Sequence, residues 1–201
     1  MAVTEVDIGE FSAAYTAAAT DDTLVLGPGE HPDPTGAAGF FTFAKRLNVI
    51  ADGWDESDAG MMIRGSFGHD YASLPVRFKT RFTFRAGATG SMLAGFGWSG
   101  THSTSTAGTN LIREATDLWF RDLHCTNRGG PEAAPGRIFI TAGAPEANAR
   151  QRWSGVRFRL IGDPLRDNHD HPLYLKNTSF PVVEDCLFYD IADGWCFHLY
   201  N

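Results

Sequence analysis

Apolar and polar residues alternate in short runs along most of this chain, and glycine-bearing turns separate the runs. That period of two, bounded by turn residues, predicts half-buried strands rather than helices. Strands are expected over 23–26, 40–43, 47–50, 61–63, 76–78, 82–84, 118–125, 138–141, 156–161, 173–176, 182–188 and 197–200. A helical spacing occurs only near the start, where Ile8, Phe11, Ala14, Tyr15 and Ala18 predict a short amphipathic helix over about 8–19, ended by Asp21-Asp22. The first strand then closes on a turn at Gly27-Pro28-Gly29. Two polar stretches, 97–108 and 127–136, are expected to be loops projecting from the strands.

The runs repeat. Pro172-Leu173-Tyr174-Leu175-Lys176-Asn177 realigns onto Cys196-Phe197-His198-Leu199-Tyr200-Asn201 at an offset of 24 residues, apolar on apolar and asparagine on asparagine. A longer register lays Leu118-Trp119-Phe120-Arg121-Asp122 on Pro181-Val182-Val183-Glu184-Asp185, with Ser154-Gly155-Val156-Arg157-Phe158 a looser copy between them. A unit of this size carrying short strands and a fixed turn residue is the signature of a β-solenoid. The two asparagines are expected to form a ladder at a coil corner. Residues 1–201 read as one domain of this kind, and because the chain stops at the end of a strand with no cover, it is expected to continue beyond Asn201.

Composition narrows the function. Charged residues make up 20% and net charge is −7. Residues 61–176 nevertheless carry 15 Arg and Lys against nine Asp and Glu, while residues 1–60 carry 11 acids against two bases. The overall acidity argues against nucleic acid, whereas a basic middle suits an anionic polymer. Cys125, Cys186 and Cys196 follow no zinc spacing and are expected to be small core residues. The N-terminus lacks the basic and apolar regions of a signal peptide, and no run is long enough to cross a membrane, so the sequence names no compartment and no membrane partner.

Val182-Val183-Glu184-Asp185-Cys186-Leu187-Phe188, His171-Pro172-Leu173-Tyr174-Leu175 and Gly194-Trp195-Cys196-Phe197-His198-Leu199-Tyr200 resemble repeats of the pectate-lyase-like superfamily. Asp22-Thr23-Leu24-Val25-Leu26-Gly27-Pro28-Gly29 is similar to its first coil. The resemblance spans most of residues 8–201. It implies an all-β, single-stranded right-handed parallel β-helix with a short N-terminal capping helix. Because that fold serves lyases, hydrolases, epimerases and phage tail spikes alike, the resemblance leaves function to the site.

Strand alternation sends Leu173, Leu175, Phe197 and Leu199 inward and Tyr174, Lys176, His198 and Tyr200 outward on adjacent coils. One coil earlier, Phe139 continues this outer face if Ile138 and Ile140 point inward. His171 falls beside Trp195. Aromatic faces stack on sugar rings, and lysine and histidine bond hydroxyls and carboxylates, so Tyr174, Trp195, His171, His169, Phe139, Arg157 and Arg159 are the candidate polysaccharide contacts. Elimination across a uronate needs a cation on the carboxylate, a base for the neighbouring C–H and an acid for the leaving oxygen. Arg166, Arg157 or Arg159 suits the first role, Lys176 the second, and His198 or Tyr200 the third. A hydrolase would instead need two carboxylates flanking the bond, for which Asp190 and Asp193 are candidates. Asp167, Asp170, Asp190 and Asp193 are hard oxygen donors, with Ca²⁺ the candidate ion. The expected function is therefore a polysaccharide lyase, monomeric. The alternatives are a glycoside hydrolase, or a glycan-binding phage tail spike or adhesin, which as a phage fibre would be a homotrimer.

Overall fold

The computed structural model describes residues 1–32, 40–58, 71–99, 110–126, 138–161, 171–191 and 194–200. A strand β1 (Val3–Val6) and a helix α1 (Phe11–Ala17) precede the repeats. Each coil then places three short strands in succession. Coil 1 holds β2 (Thr23–Leu26), β3 (Gly29–His31) and β4 (Phe41–Phe43); coil 2 holds β5 (Asn48–Ala51), β6 (Val76–Lys79) and β7 (Phe82–Phe84). Coil 3 holds β8 (Met92–Ala94), β9 (Gly97–Ser99) and β10 (Asn110–Ile112); coil 4 holds β11 (Trp119–Arg121), β12 (His124–Thr126) and β13 (Phe139–Thr141). Coil 5 holds β14 (Arg152–Ser154), β15 (Arg157–Ile161) and β16 (Leu173–Lys176); coil 6 holds β17 (Val182–Glu184), β18 (Leu187–Ile191) and β19 (Phe197–Tyr200).

Every strand pairs in parallel with its counterpart one coil away, which builds three sheets along the stack. The first sheet runs β1-β2-β5-β8-β11-β14-β17, the second β3-β6-β9-β12-β15-β18, and the third β4-β7-β10-β13-β16-β19. The chain is thus a parallel β-helix-like solenoid. The 24-residue offset is the register of the third sheet: Leu173 pairs with Phe197, Tyr174 with His198, Leu175 with Leu199 and Lys176 with Tyr200. The longer register is also real and spans two coils, Trp119 pairing with Arg152 and Arg152 with Val182.

Those alignments mark a corner. Between first and second sheets the chain turns through two residues, Gly95-Phe96, Asp122-Leu123, Gly155-Val156 and Asp185-Cys186. The first of each pair is left-handed, with φ of +82°, +46°, +66° and +49°, a conformation open to glycine and tolerated by aspartate. The second of the pair tucks inward, and Phe96, Leu123 and Val156 are fully buried. The expected single strands at 118–125 and 182–188 are therefore each two strands bent at an aspartate.

Inside, aromatic rings fill the stack. Trp98 meets Phe82 and Phe139 edge-on at 5.4 and 5.5 Å, and Phe120 stacks on Trp153 at 5.6 Å. Such geometries suit ring quadrupoles and add to the area buried. At the N-terminal side, Phe11 and Tyr15 of α1 are buried against Phe41, Phe43, Phe78 and Phe82.

Several expectations need correction. Helix α1 is shorter than 8–19, and β1 was hidden because Val-Thr-Glu-Val does not alternate and three of its four residues are exposed. Gly29 opens a strand rather than closing a turn. The stretch expected as a loop from residue 97 begins with β9, whose Trp98 is core; residues 100–109 and 127–137, and the strand expected at 61–63, lie outside the described residues. Of the cysteines only Cys125 is fully buried; Cys186 is half-buried, Cys196 exposed, and all are free. No helix of the described residues is long and apolar enough to cross a membrane.

Candidate functional site

The third sheet brings the predicted outer strip together. On β16 and β19, Leu173 and Leu175 turn into the stack, so Tyr174 and Lys176 turn out, and His198 and Tyr200 follow one coil on. The tail of β16 is fixed by Thr141, whose hydroxyl accepts the Lys176 N–H at 2.6 Å and donates to the Lys176 carbonyl at 2.7 Å. Asn177 then turns the corner at φ +50°, its N–H bonding Tyr200 O at 3.0 Å and its amide bonding Gly143 O at 3.3 Å.

The rings on this face touch one another. His198 meets Tyr174 edge-on at 5.1 Å and His171 at 5.0 Å, and His171 lies nearly parallel to Tyr174 at 5.9 Å. His171 is buried and its Nδ1 accepts the Trp195 N–H at 3.1 Å, which leaves Nε2 as the protonated nitrogen of the neutral ring. The Trp195 side chain is exposed. The Lys176 ammonium lies 5.3 Å from the Tyr200 ring centre, within cation–π range. Two histidines, two tyrosines and a lysine thus share one outer patch across coils 5 and 6, to which the Trp195 backbone is tied through His171.

Phe139, Arg157, Arg159 and Asp190 do not join them. Phe139 is fully buried and packs on Trp98, Phe120, Trp153 and Phe158, so it is core and not sugar contact. Ile140 takes the outward place and pairs with Tyr174. The run 138–141 is apolar at three of four positions, so parity along it could not be read from sequence. Arg157 and Arg159 lie on β15 of the second sheet, a different face. Arg157 is buried, and Arg159 pairs with Asp190 at 3.2 Å and lies over Tyr189 at 5.3 Å. Asp190 is therefore engaged by a cation. Arg166, Asp167, His169, Asp170 and Asp193 lie outside the described residues, and among the described residues no group of three His, Cys, Asp or Glu could hold a metal.

Sequence reasoning passed over a second polar face. Outward positions of the second sheet run Arg77, Gly97, His124, Arg157 in one column and Lys79, Ser99, Thr126 in the next, with Arg159 two residues beyond Arg157 on β15. His124, Ser99 and Thr126 are buried although they point away from the core. Tyr71 lies across this face: its ring sits where a side chain on Gly97 would be, 2.9 Å from that glycine's would-be Cβ, and meets His124 edge-on at 6.4 Å. Burial, reinforced by the Glu30 carboxylate, pushes the Tyr71 hydroxyl well above the ordinary phenol range. Glu30 itself is held by Lys79 at 2.7 Å and Arg77 at 3.6 Å. The glycine at a strand position was the one signal in the sequence that another group approaches closely there.

Compared with family models, with curated proteins and with solved structures, the chain finds no match in any of the three.

Proposed function

We propose that this chain is a right-handed parallel β-helix of pectate-lyase-like type, capped at its first coil by α1, that binds an acidic polysaccharide on the outer face of its third sheet and cleaves it by β-elimination. Parallel crossovers are overwhelmingly right-handed, and the burial of Phe11 and Tyr15 over the first-coil aromatics supports the cap. The observation that carries the functional reading is the registered stacking of Tyr174 on His198 and Lys176 on Tyr200, with His171 against the same rings. It puts sugar-stacking rings, a lysine and a histidine on one exposed patch.

In this reading Tyr174 and Trp195 lie under pyranose rings. Lys176 in its neutral form takes the proton next to the uronate carboxylate. A carbon–carbon double bond then forms as the bond to the glycosidic oxygen breaks, and His198 or Tyr200 gives that oxygen its proton. Arg166 is assigned to the carboxylate. Non-catalytic glycan adhesion is the second reading, favoured by the contact of Lys176 with the Tyr200 ring, an arrangement suited to recognition as readily as to proton transfer.

Ultraviolet absorbance of unsaturated sugar ends on a panel of polyuronates, with Ca²⁺ and with chelator, tests the proposal. A rise that falls by about 10² or more in Lys176→Ala or His198→Ala is expected. A rise indifferent to both changes would keep the reaction and move its residues elsewhere. A flat trace with retained binding would establish adhesion, and a folded protein that neither binds nor cleaves any acidic glycan would overturn the proposal.

A further inference from the structure

The outward column of the third sheet that ends in Lys176 and Tyr200 carries arginines on coils 2 and 3, after Ala44 on coil 1. Phe84 pairs with Ile112 and Ile112 with Thr141, so the next residues, Arg85, Arg113 and Ala142, stand one above another at the strand ends. The ladder hydrogen bonds continue through them: Arg85 N to Phe43 O at 2.9 Å, Arg113 N to Phe84 O at 3.0 Å and Ala142 N to Ile112 O at 2.8 Å. Lys176 takes the same place on the coil after Ala142, held there through Thr141. Cation, cation, alanine, cation is thus the order on coils 2 to 5, at the ~4.8 Å step of a parallel sheet.

The alanine leaves a gap. A cleft of about 290 Å³ opens there, lined by Arg85, Arg113, Glu114, Ala142 and Gly143. Its floor is built: Asn148 donates through Nδ2 to Ala142 O at 2.9 Å and to Ala144 O at 3.2 Å, and Gly143 adopts φ +118° with a would-be Cβ only 3.3 Å from that Nδ2. Glu114 stands 3.7 Å from Arg85 Nη1, an intramolecular carboxylate already drawn to one of the two forks. The Arg113 guanidinium has no ion-pair partner among the described residues and reaches the same cleft. With two guanidinium groups against one carboxylate, the lining is net positive.

We propose that this cleft is a subsite for one acid group of the polysaccharide, carboxylate or sulfate, clamped by Arg113 and Arg85 while the chain runs along the solenoid axis toward Lys176. The inference rests on the reading of the third-sheet face as a glycan site and deepens it: the substrate class becomes a polymer with acid groups on successive or alternate residues. Planar forks match the two oxygens of a carboxylate or sulfate, which a lysine cannot do.

Binding of oligouronates, sulfated oligosaccharides and neutral oligosaccharides to the full chain, by calorimetry at two salt concentrations, tests it. Arg113→Ala and the double variant Arg85→Ala/Arg113→Ala are expected to weaken the acidic ligands roughly ten- to hundredfold, leave neutral ones unchanged and flatten the salt dependence. Arg113→Lys should recover only part of the loss. Ala142→Glu, which keeps both arginines and puts a carboxylate in the gap, should be as damaging as the double variant. The arm that responds, uronate or sulfate, names the acid group. If the double variant holds acidic ligands as tightly as the parent while Tyr174→Ala or Lys176→Ala releases them, the cleft is overturned and the glycan face stands. An equal loss for neutral ligands would also overturn it. A parent protein that binds no acidic glycan would remove the functional reading and this inference with it.

Discussion

Leu173 and Leu175 on β16 and their partners Phe197 and Leu199 on β19 carry the same alternation and point the same way, yet the first pair is 0% and 1% exposed and the second 47% and 59%. The difference is a neighbour. Strand β16 is flanked by β13 and β19, whereas β19 pairs only with β16 among the described residues. In a solenoid burial is conferred by the next coil rather than by the residue, so stability is a sum of coil–coil contacts. The same holds for chemistry: Tyr174 and His198 become a patch only because register sets them side by side.

The sharpest way to break the comparison is to truncate both members of a pair. Leu175→Ala should cost about 2–5 kcal/mol, as for buried leucines generally, because neighbouring coils cannot close the cavity. Leu199→Ala should cost about 1 kcal/mol or less, as it removes little buried area. Urea unfolding checks both, and equal losses would mean that coil 6 is as covered as coil 5.

The two-residue corner sharpens the comparison at the backbone. Gly95 has φ +82°, and a Cβ there would lie 2.5 Å from Trp54 Cγ. Gly95→Ala combines the left-handed penalty of roughly 1–2 kcal/mol with a clash on an indole that is itself buried, so a loss of about 2–3 kcal/mol is expected in thermal or urea unfolding. At the equivalent corner of coil 6, Asp185 is exposed at φ +49°. Asp185→Gly should stay within about 0.5 kcal/mol, since glycine accepts that conformation freely.

This corner also shows what the sequence made legible. Asp122 on Asp185 with Gly155 between them was visible because left-handed positions restrict residue type. The 24-residue register was visible because strict alternation fixes parity. Where a run is apolar throughout, as at Phe139, parity disappears and the side chain was placed on the wrong face. The outward face of the second sheet was missed for a different reason. His124, Ser99 and Thr126 look like solvent-facing polar residues in any alternating pattern, and only the fold shows that they are buried. The Arg85–Arg113–Lys176 column was likewise hidden, because coils of unequal length scatter its members through the sequence.

The smallest expected effect concerns the corner leading into the first sheet, where two coils solve one electrostatic problem with different surroundings. Asp117 pairs with Arg150 on the next coil at 2.7 Å, and Asp21 pairs with Arg46. Asp22, beside the second pair, instead accepts the Ala2 N–H at 2.6 Å and the Ala19 N–H at 2.9 Å, tying β1 and the end of α1 to the first coil. The Arg150 guanidinium holds the Asp117 carboxyl below its ordinary value, Arg46 does so for Asp21, and the two backbone donors do so for Asp22. A carboxyl depressed in the folded state contributes stability that is complete above its unfolded value and is lost as pH falls through the folded one. The unfolding midpoint should therefore be level near neutrality and decline below about pH 4. Asp22→Asn should flatten that decline more than Asp117→Asn, because two backbone N–H donors favour the ionised Asp22 carboxylate at a nearly buried position, whereas the Asp117 pair is exposed and weakened by solvent. Midpoints measured from neutral to acid pH for the parent and both variants decide it. If Asp117→Asn flattens the decline more, the ion pairs rather than the backbone ties govern the acid response of the stack.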